Sequence, residues 1–364
     1  MFGSAMKMLR GKLSLERQPA NTFTFAVVLC LLTLAAGCVI SPRRIVGGGS
    51  PTPTPNPSGS PTPTPAPSAP GKLYVADPNN NSILRFDNAN TADGALAPAA
   101  SISGTATLLN APQHIFVDAA SDTLYVANQG NVLAFDGVST KTGPVQPREI
   151  SATGLTAPVD VGVDDVNDLL YVANNRDVLV FANASTANGT NLAVQHDIQV
   201  GFVISALFFD NATDRLFLAD SAANAIDVYD NASGLNGSVP AARTISGTST
   251  KLDQPSGIAV DALGRLSVSN KGNNSITVYV NAGATKGDVP PVVTLTGGST
   301  LISAPGQIAV NNSTTLVELF VGNSSGGNIP IFSDLGANSN NVPPSRNIKL
   351  STTGVSGITL DSTR

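Results

Sequence analysis

Side chains able to do chemistry are scarce and scattered in this chain. It has two histidines, His114 and His196, two cysteines, Cys30 and Cys38, and no tryptophan among 364 residues. Beyond residue 71, glutamate occurs only as Glu149 and Glu318, so acid–base or metal work would fall to aspartates, amides and hydroxyls. General acid–base catalysis needs titratable groups within hydrogen-bond reach of one another. A catalytic zinc usually takes three protein ligands, typically with several histidines. Two histidines do not supply that set. Calcium accepts carboxylate and carbonyl oxygens freely, so an aspartate-and-asparagine calcium site is the metal reading left open. The spacing shows no nucleophile–base pair, no phosphate loop and no cysteine pair for redox work.

Which elements could bring these groups together? Five residues, LYVAD at 73–77, return as LYVAN at 124–128 and 170–174, LFLAD at 216–220, LSVSN at 266–270 and LFVGN at 319–323, at intervals of 46 to 53 residues. Self-similarity at such a period marks a solenoid, a propeller or an array. The clearest unit is GIAVDALGRLSVSNKGNNSITVYVN (257–281), three alternating apolar runs parted by tight turns, and PPVVTLTG (290–297) supplies a fourth. Four short antiparallel strands make one blade of a β-propeller. Helices are excluded, because no long stretch has apolar residues at spacings of three and four.

All four strand types occur six times, but the phase is offset. The first copy begins with a second strand at Leu73, and the chain ends on an unpaired first strand, GITLD at 357–361. The fold class predicted is therefore all-β: a six-bladed propeller of four-stranded antiparallel blades, closed where the C-terminal strand joins the first blade. Closure removes exposed sheet edges, and a monomer is expected. Pro330, within a third strand, predicts frayed or bulged pairing there.

Three segments follow from composition: 1–37, 38–71 and a propeller over 72–364. Lys7, Arg10, Lys12 and Arg17 precede the uncharged run FTFAVVLCLLTLAAG (23–37), too short for a membrane span, which needs about 20 residues. The run reads as a secretory signal. Its end, Leu34-Ala35-Ala36-Gly37-Cys38, resembles the lipobox of bacterial lipoproteins, although Leu34 stands one place early. That resemblance implies lipidation of Cys38 and a mature chain starting there. Val39 in place of aspartate implies, by that family's sorting rule, the outer membrane. A plain cleaved signal is the alternative. Residues 50–70, SPTPTPNPSGSPTPTPAPSAP, favour extended polyproline II and form a spacer reaching roughly 60 Å. From Lys72 onward 14 basic and 24 acidic residues give a formal charge of −10, which argues against nucleic acid and anionic membrane surfaces. The membrane contact expected is the anchor alone.

The unit, P-x-GIAVD followed after a short turn by an LYVAN run and then an I-x-VF run, resembles the NHL-repeat and YVTN-type propellers over essentially all of 72–364. That resemblance implies a ligand face built by the loops leading into first strands and the turns after second strands. By position it places Gln113, His114, Asp160, Ser205, Ser256, Gln307 and Ser356 around the central opening. Asp77, Asn128, Asn174, Asp220, Asn270 and Asn323 fall just outside, where turn capping explains them equally well. The amidating-lyase relatives use a zinc site that two histidines cannot build. Gluconolactonase-type relatives use a divalent metal on a carboxylate, and Glu149 and Glu318 fall on strands away from the opening. The favoured expectation is a binding or scaffold module for an unidentified protein or small ligand, with no catalytic residue and no cofactor. A calcium-dependent lactonase-like hydrolase or lyase is the runner-up. On the binding reading, Asp160→Ala and His114→Ala should leave stability nearly intact.

Overall fold

The computed structural model describes residues 70–364 except 313–316, 334, 336–339 and 353. The signal, Cys38 and most of the linker lie outside the described residues.

Six sheets form the blades of a closed ring. In blade I, Lys72–Asp77, Ser82–Asp87 and Ala100–Ile102 are joined by the C-terminal Gly357–Asp361. Blades II and III begin with Ile115–Asp118 and Pro158–Asp164, blades IV, V and VI with Ile204–Asp210, Pro255–Val260 and Pro305–Asn311. Closure runs antiparallel, with Lys72 opposite Asp361 and Ala76 opposite Gly357. The phase offset in the sequence is thus the joint of the ring.

Burial explains why the repeated motif is apolar at nearly every position. An exposed sheet alternates apolar and polar residues, whereas a sheet covered on both faces need not. Leu73 and Val75 pack into the seam with blade VI, and Tyr74 and Ala76 into the seam with blade II. The same division recurs around the ring, giving six apolar clusters, each shared by two adjacent blades. No blade has a core of its own.

Each outer strand is also clasped by the next blade. Ile102, Ile150, Ile245 and Leu295 form parallel bridges to Gly143, Gly189, Gly287 and Asn340. Ile198 and Ile348 do the same with Gly237 and Gly94, where the contact extends to two residue pairs. The clasping residue has positive φ in every blade, for example 75° at Gly143 and 68° at Asn340, a conformation that suits glycine and asparagine. The clasp covers an otherwise open edge.

Pro330 has the predicted effect. Second and third strands pair over six residues in blade I but only from Glu318 to Phe320 in blade VI, where pairing stops at Ile331.

Truncation before Val355 removes the closing strand and bares the edge of Lys72–Asp77. The product should lose at least about 4 kcal/mol in denaturant titration and aggregate through that edge. Parent-like stability would contradict the closure.

Candidate functional site

The first strand of each blade faces the axis with one edge unpaired. Its backbone N–H and C=O groups need partners there, and the residues leading into it supply them. At the II–III seam, His114 Nδ1 and Asp160 Oδ2 are 2.9 Å apart. At the III–IV seam, the same oxygen accepts the Leu207 N–H at 2.8 Å. Ser205 donates to the Pro255 carbonyl, Ser256 to that of Pro305 and Ser356 to that of Pro112, bridging the IV–V, V–VI and I–II seams. Gln307 closes the VI–I seam by accepting the Ile358 N–H at 2.9 Å and crosses to blade II, accepting from Ile115 N–H at 3.0 Å and donating to its carbonyl at 2.8 Å. Every seam carries such a tie.

Local irregularity aims these side chains. Register shifts occur where the first strands of blades III, IV, V and VI begin, and an extra residue in one strand re-aims a side chain. Where serine makes the tie, the next residue is small: Ala206, Gly257 or Gly357. A Cβ on Gly357 would lie 2.6 Å from the Gln113 carbonyl oxygen and 2.8 Å from Gln307 Oε1. Only glycine fits that approach.

The predicted inner ring therefore exists, and its polar atoms are bound up in the architecture. Asp160 is 2% exposed and holds three donors or partners. It ties three consecutive blades, so its loss is expected to cost stability, where the sequence led us to expect little effect. Gln113 turns back to the Ala111 carbonyl of its own loop.

The outer ring divides by residue type. Asp77 and Asp220 accept backbone N–H groups of their own turns, from Asn80 and from Ala222 and Ala223. The asparagines reach instead to the loop leading into their own blade. Asn128 accepts from Asn110 N–H and donates to the Leu108 carbonyl; Asn323 likewise joins Ser303 and Leu301. Asn174 accepts from Thr156 and Ala157 and donates to Gly154, and Asn270 accepts from Asp253. An amide offers both a donor and an acceptor, which a carboxylate does not. The sequence reading foresaw turn capping and missed the loop clamp. It also missed Asn81, Asn224 and Asn274, which accept N–H groups from the next blade's lead-in loop at Ala111, Gln254 and Ala304. Their recurrence four residues after the second strands of blades I, IV and V was a usable signal.

The opposite face is acidic. First strands end in Asp118, Asp164, Asp210, Asp261 and Asp361, each accepting from the following turn as expected. Asp165 is different, for it sits over a depression lined by Asp118, Asp168 and Tyr125. Burial first, and then the charges of Asp118 and Asp164, push its carboxyl up to about 6. Among the described residues no group of three or more His, Cys, Asp or Glu side chains is arranged to hold a metal.

No protein-family model and no curated protein matches the chain. Many solved structures resemble it, and two serve as examples. One, a functionally unknown protein from Desulfotomaculum acetoxidans DSM 771, is 12% identical, with 73% of this chain and 75% of that one covered and a TM-score of 0.49. The other, a nidogen/laminin complex, is 13% identical over 80% of this chain and 97% of that one, with a TM-score of 0.54. At this identity the second likeness is one of fold. The fold is a six-bladed β-propeller.

Two measurements check this assignment of roles. Asp160→Ala strands the Leu207 N–H and the His114 ring, so it should cost about 3 kcal/mol in denaturant titration, with Asp160→Asn costing less. Asp165→Asn should act in the other direction. A raised carboxyl disfavours its charged form in the folded state, so its penalty is present above about pH 6 and fades toward the ordinary carboxylate range. The variant should exceed the parent in melting temperature at neutral pH and match it near pH 4. Although its carboxyl is partly desolvated over the depression, Asp165 as a whole residue is exposed to solvent, so the gain should stay below about 1 kcal/mol.

Proposed function

We propose that this chain is a lipid-anchored, extracytoplasmic propeller serving as a binding or scaffold module for a protein or small ligand. The observation that carries the reading is the engagement of the axial polar side chains. His114, Asp160, Gln307 and the three serines tie blade to blade, which makes them parts of the frame rather than free acid–base groups. What remains for function is the channel and the two faces of a rigid ring.

The repeat unit GIAVD-x(4)-LSVSN resembles that of NHL-repeat and YVTN-type propellers, a group that hosts binding modules as well as enzymes. Fold alone does not choose between them. The nidogen/laminin structure is that of a complex, in keeping with a propeller that holds a partner. The anchor rests on Cys38 after Ala35-Ala36-Gly37, with the proline-rich segment as spacer and Val39 favouring the outer membrane.

Cys38→Ala tests the anchor. The variant should lose metabolic lipid labelling and either leave the membrane fraction or accumulate as uncleaved precursor. Unchanged labelling would reject lipidation at this residue. A lactonase activity in the purified protein, abolished by chelator, would overturn the binding reading.

A further inference from the structure

Past one polar end the side chains along the axis are mostly apolar, Thr359, which accepts the Val117 N–H at 3.2 Å, being the exception. Beyond the ties of His114, Asp160 and Gln307 lies a cavity of about 150 Å³ whose half-buried walls include Phe116, Phe208, Val310 and Leu360. Apolar cavities of roughly this size hold a benzene-sized group. Phe116, Phe208 and Phe209 also line a depression of about 480 Å³ on the acidic face, together with Val260, Asp210 and Asp261. The shared phenylalanines make the depression the mouth of the cavity.

Charge on that face is uneven. Asp261 is paired with Arg265 at 2.6 Å and Asp361 with Arg364 at 2.8 Å. Among the described residues, no lysine or arginine forms an ion pair with Asp118, Asp164, Asp165 or Asp210. Asp165 and Asp210 are linked through Asn211, which follows Asp210 in the chain and whose Oδ1 accepts the Asp165 N–H at 2.9 Å. Carboxylates of one sign around a low-dielectric opening focus their field into it. The faces of phenylalanine rings attract organic cations in addition. Acid outside, aromatic at the threshold and aliphatic inside form a graded site.

We propose that the axial cavity binds a small organic cation with an apolar body, the body entering the channel and the charge resting at the mouth by Asp210, with Asp165 joined to that rim through Asn211. This rests on the binding reading above and names its ligand class. It places the site on the face away from the one expected from sequence. The raised carboxyl of Asp165 fits a site that lacks its counter-charge.

Benzylammonium, benzyl alcohol and methylammonium, titrated into the full chain and followed by chemical shift, test the proposal. Benzylammonium should bind at least about tenfold more tightly than either control, a difference of about 1.4 kcal/mol. The paired substitution Asp165→Asn with Asp210→Asn should bring benzylammonium down to the level of benzyl alcohol and leave benzyl alcohol unchanged. Val260→Phe, which fills the mouth, should abolish both. Thermal melts confirm that each variant is folded. Equal affinity for benzylammonium and benzyl alcohol, retained binding in Val260→Phe, or no binding of benzylammonium at millimolar concentration would each overturn the proposal. The anchor and lactonase experiments judge the underlying reading separately.

Discussion

A propeller has six sheet edges at its axis, and every one leaves backbone donors and acceptors without a β partner. That constraint organises this molecule. A buried unpaired amide costs about 1–3 kcal/mol, and six first strands bring many of them to one place. The chain answers with a side-chain tie at every seam: serine at three of them, and His114, Asp160 and Gln307 at the others. Once these are in place, the position of each blade follows from that of its neighbour.

The rest of the packing obeys the same logic of shared edges and faces. Each apolar cluster belongs to two blades, and each outer strand is clasped by the loop of the next. Stability is thus a property of adjacency and closure. A blade taken alone would expose both of its faces. This explains why LYVAD and its copies are almost free of polar residues except at the end, where Asp or Asn fixes a turn or a loop.

The same economy limits what the axis can do. A histidine, an aspartate and a glutamine close together suggest chemistry when met in a sequence, but here they hold three seams. On the other face Asp210 lines the mouth of the axial channel, with Asp165 joined to it through Asn211, and among the described residues no lysine or arginine pairs with either. The groups the frame does not use are the ones free to meet a ligand.

The fold was legible in advance because it depends on periodicity, which is local. Strand order, blade number, closure by Gly357–Asp361 and the fraying at Pro330 all follow from spacing and residue type. The gathering of His114, Asp160 and Gln307 near the axis was legible too, since each leads into a first strand. Their partners were not. Whether Asp160 meets a ligand or the Leu207 N–H depends on bulges that shift the register by one residue, and on which edge of a neighbouring blade lies within reach. Those distances are set by the curvature of the whole ring. Sequence alone determined which side chains could approach the axis; only the tertiary structure decided what they touch, because a hydrogen bond is resolved on a scale of tenths of an ångström that no repeat period encodes.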